Sequence, residues 1–264
     1  MKRKGEIMKL FLFKTLSFEH YLYALSKFYF LSYDLGLLRK QPLYKYHYFL
    51  RSIIKEKDTV IDIGANLGYF ALYFSKWVGN EGMVYAVEPV ESVRRVLTKN
   101  AKKYKNIKII PYALGEFNKD IEIVNTTRKA KGFIASGSNY VVDGSKPVTD
   151  ENIDKFNAVM RKGSELFSAL SKIDFIKCDV EGYEINIIPE MEVLLKKHNP
   201  LMLIETRREN RSIIENYLSG LDYQGFVLED GKLYSSLTVK EKEEDDILFI
   251  PTNKLHLYRE FIGS

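Results

Sequence analysis

The block Val60-Ile61-Asp62-Ile63-Gly64-Ala65-Asn66-Leu67-Gly68-Tyr69-Phe70 joins an apolar run to an acid and then to a glycine-bearing turn. Glycine at 64 and 68 lets a ligand approach the backbone, and a helix opening there favours an anionic group. The dinucleotide pattern GxGxxG fits poorly, because Asn66 stands where its second glycine belongs. Asp62, beside the loop, repels a pyrophosphate and suits an ammonium. The two features together suit a ligand with a carboxylate and an ammonium, the two ends of an amino acid. Glu88 closes the next apolar run, 24 residues beyond Gly64, and Pro89 follows it. An acid there can accept hydrogen bonds from both hydroxyls of a ribose. Ala113 and Leu114, within Pro111-Tyr112-Ala113-Leu114-Gly115-Glu116, leave room for an adenine. S-adenosylmethionine carries all of these parts.

Two further apolar runs end in acids. Phe175-Ile176-Lys177-Cys178 leads into Asp179, with Glu181, Gly182 and Glu184 close behind, and Leu201–Ile204 leads into Glu205. Ligands bind beyond the carboxyl ends of strands in open parallel sheets, so Asp62, Glu88, Asp179 and Glu205 would share one rim. Methyl transfer to a hydroxyl needs a base, and no histidine falls at a strand tip. The candidate catalytic residues are therefore Glu181, Asp179 and Glu205, with Glu181 favoured because Asp179 suits the donor's amine or the pocket floor. Carboxylates here could hold Mg²⁺. Glu205-Thr206 offers no dense pair of oxygen ligands, however, and the expectation is no metal. Arg207 and Arg208 could clamp an anionic acceptor or be merely solvated.

These residues need a scaffold that brings strand ends together. Apolar runs at Thr59–Ile63, Met83–Val87, Ile107–Tyr112, Phe175–Cys178 and Leu201–Ile204 alternate with helical stretches at Leu67–Val78, Glu91–Tyr104 and Tyr183–Lys197. That alternation predicts a parallel sheet covered by helices on both faces. Strand-like runs at Gly225–Glu229, Lys232–Leu237 and Ile247–Ile250, with Asp230-Gly231 as a hairpin turn, predict an antiparallel finish. Residues 126–165 interrupt the pattern. They are polar and rich in Gly and Ser, with a helical patch expected near Asn152–Arg161, and read as an acceptor lid.

The blocks VIDIGANLGYF, VEP, YALGE, KCDVEGYE and the closing ILFIP resemble the FkbM-family S-adenosylmethionine-dependent methyltransferases over roughly Asp58 to Pro251. The resemblance implies a class I methyltransferase (Rossmann-like) α/β fold, with a seven-stranded sheet whose last strand is antiparallel. It also implies O-methylation of sugar hydroxyls or other small acceptors. The expected donor contacts on the first loop are Asp62, Gly64, Ala65, Asn66 and Gly68. Glu88, Pro89, Ala113, Leu114 and Asp179 complete the set.

Composition narrows the alternatives. The chain has 264 residues and one cysteine, Cys178, so it has no internal disulfide and no Cys-rich zinc site. The net charge of +5 is too mild to imply nucleic acid. It is unevenly spread, however: residues 1–58 carry 12 basic and 5 acidic residues, a net +7. The first 50 residues also hold 13 of the 35 aromatic residues, many at helical spacing from Phe18 to Tyr33, with a second helix beginning at Pro42. Residues 1–57 thus read as a helical extension preceding a methyltransferase domain at 58–264. No run there is long enough to span a membrane. The chain reads as cytoplasmic, with peripheral contact to an anionic membrane open through residues 1–58. An RNA methyltransferase gripping phosphates with this end, or a silent scaffold, are the competing classes. Helical core spacing of the aromatics and the intact donor set argue against them. A glycan or other small molecule is the expected acceptor.

Overall fold

A computed structural model describes residues 15–125, 139–141, 154–237 and 246–263. The basic start Met1–Lys4, most of the expected lid (126–138 and 142–153) and most of the charged stretch at 240–246 lie outside the described residues.

The first helix, α1 (Phe18–Asp34), ends where Gly36 takes φ +71°, and the Leu37 amide bonds back to the Ser32 carbonyl. That is the left-handed helix stop glycine permits. Pro42 opens a 3-10 turn that runs into the short α2 (Lys45–Phe49). Then β1 (Thr59–Ile63), α3 (Ala71–Val78), β2 (Met83–Val87), α4 (Glu91–Ala101) and β3 (Ile107–Ile110) follow the expected alternation. Helix α3 starts later than the periodicity from Leu67 suggests, because the loop runs through positive φ at Asn66 (+51°) and Gly68 (+92°) first.

The next strands, β4 (Ala113–Leu114), β5 (Lys119–Asn125), β6 (Asn139–Val141) and β7 (Asp154–Arg161), form a separate sheet in the order β4-β7-β5-β6. The helical patch expected near Asn152–Arg161 is therefore corrected to a strand. Strands β5 and β7 pair antiparallel from Lys119↔Met160 to Asn125↔Asp154. Met160 is buried while Lys155 and Asn157 are exposed, an alternation of period two. Strand β5 carries Lys119, Asp120 and Glu122, which hid it from an apolar reading.

After α5 (Gly163–Leu166) come β8 (Phe175–Cys178), α6 (Glu184–Glu190), α7 (Glu192–His198), β9 (Leu201–Glu205), α8 (Arg208–Ser219), β10 (Tyr223–Glu229), β11 (Lys232–Ser235) and β12 (Asp246–Pro251). The stretch expected as one helix from Tyr183 is two, breaking at Met191 just past Pro189. The main sheet runs β11-β10-β12-β9-β8-β1-β2-β3. Strands β3, β2, β1, β8 and β9 are mutually parallel, and β12 lies antiparallel between β9 and β10. This is the class I methyltransferase arrangement with one addition. The expected count of seven becomes eight because β11 folds back on β10 at the edge, through Asp230 and Gly231 at φ +46° and +79°.

Residues 15–57 share the core of the main sheet. Tyr46, Leu50, Ile53 and Ile54 are buried in one cluster with Val60, Phe74 and Phe175. The Tyr46 hydroxyl donates to the Asp246 carbonyl (3.0 Å) and accepts from the Leu228 amide (2.9 Å). Helix α1 lies against α4, where Asn100 donates to Ser26 Oγ and to the Leu67 carbonyl, both at 2.9 Å. No helix among the described residues is long and apolar enough to cross a membrane.

Candidate active site

The parallel strands end on one cavity of about 600 Å³, within the range that encloses small ligands. The loop after β1 forms one wall, with Gly64, Ala65 and Asn66 exposed to the cavity. Gly64 is obligatory there. At φ +77° it passes so close to the next loop that a Cβ would lie 1.9 Å from the Asp179 carbonyl oxygen. Glu88, Pro89, Ala113 and Leu114 continue the wall. Glu88 is buried and accepts from the Asn66 amide (3.0 Å) and the Val90 amide (2.9 Å). Burial pushes its carboxyl up to about 7, against the pull of those two amides. Asn66 Oδ1 is buried with no hydrogen-bond partner among the described residues. A left-handed loop, a buried acid with spare lone pairs and an orphaned amide oxygen fit a ligand bearing an amine and ribose hydroxyls.

Two expected donor contacts do not line this cavity. Asp62 is wholly buried beneath the loop, its Oδ1 3.8 Å from Lys177 Nζ. Burial raises its carboxyl to about 6, against the Lys177 charge. Gly68 instead serves packing, since a Cβ there would meet Leu72 and Leu97 side chains at 2.6 and 2.9 Å. Both residues support the loop from below.

The expected catalytic acids do come together. Asp179, Glu181 and Glu205 bring carboxylate oxygens within 4.8 Å of one another at the edge of the cavity. They differ in charge. Burial and the neighbouring Asp179 push the Glu205 carboxyl far up, so it holds its proton. Burial works against the charge on Asp179, but the Lys177 ammonium at 3.0 Å and the Glu205 carboxyl outweigh it and hold Asp179 ionised. Two carboxyls this close share one proton. Glu181, in a left-handed conformation at φ +60°, pairs with Arg207 at 3.1 Å. Its carboxyl is raised by burial, with Arg207 opposing. The three acids could hold a cation, but Lys177 already supplies positive charge on Asp179.

Sequence reasoning passed over Lys177, although one signal was available. It is the single charged residue inside β8, two positions before Asp179 and so on the same face. It is almost wholly buried, and Asp179 and Asp62 hold it protonated against that burial.

The opposite wall comes from residues 15–57. Phe28, Tyr29, Tyr44 and His47 line the cavity together with Tyr69 and Phe70. The His47 ring stacks on Phe70 with centroids 3.7 Å apart, and Tyr29 meets Tyr69 edge-on at 4.5 Å. The Tyr29 hydroxyl and His47 Nδ1 are buried without a hydrogen-bond partner among the described residues. Burial, with Lys177 nearby, holds His47 neutral, its ring down to about 3. Nothing in the sequence marks His47, which reaches the strand tips only because α2 folds over them.

Comparison with known proteins bears on this geometry. The family model described as Methyltransferase FkbM domain matches residues 62–228. A cobalt-precorrin-6B C(15)-methyltransferase (decarboxylating) of Saccharolobus solfataricus is 26% identical over 165 residues, covering 57% of this chain and 79% of its own. Among solved structures, a methyltransferase FkbM from Methylobacillus flagellatus is 16% identical with a TM-score of 0.47, over 73% of this chain. The chain spans only 43% of that protein's length. A Streptococcus mutans methyltransferase solved with S-adenosylhomocysteine has a TM-score of 0.44 at 10% identity, covering 80% of this chain and 96% of its own. The family match spans more than half of the chain and runs from the buried acid of β1 into β10, the strand beside the sheet's edge. The chain belongs to the FkbM methyltransferase domain family, whose methyl donor is S-adenosylmethionine.

Proposed function

We propose that this methyltransferase O-methylates a hydroxyl of a sugar, a glycan or a related small acceptor. The observation that carries the reading is the make-up of the acceptor wall. Aromatic rings of Tyr29, Tyr44 and Tyr69 stand beside buried polar atoms on Tyr29 and His47 that have no partner among the described residues, with the Glu205 carboxyl close by. A buried polar atom without a partner is costly, and a ligand rich in hydroxyls relieves that cost while stacking its apolar ring faces on aromatics.

In this reading the loop Gly64–Asn66 and Glu88 hold the donor, with Pro89, Ala113 and Leu114 against its base. Asp62 and Gly68 brace the loop, and Asp179 faces the donor's amine or the cavity floor. Bound S-adenosylmethionine supplies an electrophilic methyl group on a sulfonium. Glu181 takes the proton from the acceptor hydroxyl as the new bond to oxygen forms, because a carboxylate is too weak a base to remove it beforehand. Glu205, protonated, donates toward the acceptor or toward Asp179. Much of the rate comes from holding acceptor and donor at attack distance, worth up to about 7–11 kcal/mol. A positioned base adds about 10²–10⁴-fold. Independently of the acceptor, the net charge of +7 on residues 1–58 supports peripheral contact with an anionic membrane.

A radiolabelled methyl-transfer screen over sugars, glycolipids and RNA tests it. An ether-linked methyl group on a sugar is expected. Labelled RNA with unlabelled sugars would overturn the reading.

A further inference from the structure

Exposed apolar side chains are unevenly distributed over the molecule. Of the eleven large ones among the described residues, six lie between Leu16 and Leu43. Phe28 (59% exposed), Leu31 (59%) and Leu35 (64%) follow one another at i, i+3 and i+7 from α1 into its C-terminal turn, away from the face that buries Leu22, Tyr29 and Tyr33. Leu37 (65%) and Leu43 (77%) extend the surface through the turn that follows. A concentrated apolar surface of this kind marks an interaction site, whereas scattered exposed leucines do not.

Three features say what covers it. Cations border it: Lys27, Arg39 and Lys40 are all exposed. The one acid on that side of α1, Asp34, accepts from the Tyr73 hydroxyl at 3.0 Å and lies 3.8 Å from Lys76, so its charge is offset. The surface also adjoins the cavity, because Phe28 and Leu43 belong to both. A protein seated here, whether a partner or a second copy, would cover the cavity on that side. A lipid surface covers the same leucines, pairs its anionic headgroups with the cations, and leaves a route for a headgroup to enter.

We propose that the face formed by Phe28, Leu31, Leu35, Leu37 and Leu43, with Lys27, Arg39 and Lys40, docks on an anionic lipid bilayer, and that the acceptor is the sugar headgroup of a lipid in it. The lipid-borne acceptor rests on the O-methylation reading above, but the docking does not.

The test is co-sedimentation of the full chain with vesicles of equal parts phosphatidylglycerol and phosphatidylcholine, set against pure phosphatidylcholine. Binding to the anionic vesicles and on the order of tenfold weaker binding to neutral ones is expected. The triple variant Leu31→Ser, Leu35→Ser, Leu37→Ser changes no cavity residue. It should lose on the order of a hundredfold in vesicle affinity while binding S-adenosylmethionine as the parent does, which also certifies its fold. The pair Arg39→Glu, Lys40→Glu should lose on the order of tenfold on anionic vesicles only. Absence of binding by the parent chain overturns the proposal. So does a triple variant that binds as the parent does, because the basic residues at 2–14 would then be the contact. A parent chain that self-associates through these leucines and ignores vesicles makes the face a contact between copies, and also overturns it. Methylation of soluble sugars without vesicle binding defeats the docking alone. Vesicle binding with no sugar methylated defeats the acceptor reading alone.

Discussion

The two walls of the cavity are built by different means. The wall proposed to hold the donor is made of backbone: a left-handed loop at Gly64–Asn66, amides aimed at Glu88, and strand ends fixed by the register of a parallel sheet. The wall proposed to meet the acceptor is made of side chains: rings from α1, α2 and the loop before α3, stacked on one another. Backbone geometry tolerates few changes and recognises one ligand, whereas a wall of rings can be repacked without disturbing the sheet.

The largest expected effect lies where the walls meet. Glu181→Gln keeps the shape and removes the basic oxygen, and should lower kcat by about 10²–10⁴-fold with donor affinity nearly intact. Steady-state kinetics on an identified acceptor, with donor calorimetry beside it, reads both. If kcat survives there and collapses in Asp179→Asn, the base is Asp179. If both variants keep full activity, the acid cluster is not catalytic.

Lys177→Met probes the floor shared by both walls. Its ammonium lies 3.0 Å from Asp179 and 3.8 Å from Asp62, and its side chain is 4% exposed. Removing it strands the buried Asp62 carboxylate and leaves the part-exposed Asp179 unpaired, and the expected loss, carried by Asp62, is about 3–5 kcal/mol of stability by denaturant unfolding. A change below about 1 kcal/mol would mean that the carboxyls simply take up protons when the lysine is absent.

Glu88→Ala addresses the donor wall alone. It should weaken S-adenosylmethionine about 10–150-fold, the cost of about 1.5–3 kcal/mol for charge-assisted hydrogen bonds. Unchanged affinity would remove Glu88 from the ribose. The same residue sets a pH dependence. Its free carboxyl is raised to about 7, and ribose hydroxyls donate to the ionised form, so binding expels the proton. Affinity should therefore fall as pH drops through 7, by about tenfold between pH 8 and pH 6. Calorimetry in buffers of different ionisation enthalpy should detect proton release near pH 6, and Glu88→Gln should abolish it.

The smallest effect belongs to the acceptor wall. Tyr44→Ala removes one ring of several, worth about 0.5–1.5 kcal/mol, and should raise the acceptor KM about 2–13-fold without moving donor affinity. A loss of donor binding in that variant would end the division into two walls.

Local chemistry made the donor wall legible in the sequence. Acids at the ends of apolar runs, a glycine loop between strand and helix, and alternation of strand with helix each state their geometry within a few residues. Gly64 needs its positive φ whatever lies around it, and Glu88 follows a strand whose apolar residues announce it. The hairpin at Asp230-Gly231 was readable for the same reason. What the sequence could not state depends on contacts between distant residues. Strands β5 and β7 are too polar to announce themselves, and they exist as a pair because each supplies the other's hydrogen bonds. Asp62, at the end of β1, and Gly68, in the loop after it, were expected to meet a ligand, yet Asp62 faces Lys177 and Gly68 is crowded by Leu72 and Leu97. His47 carries no local signal at all. It entered the site because Tyr46, next to it, is anchored to Asp246 and Leu228 roughly 180–200 residues away, which folds α2 over the strand tips.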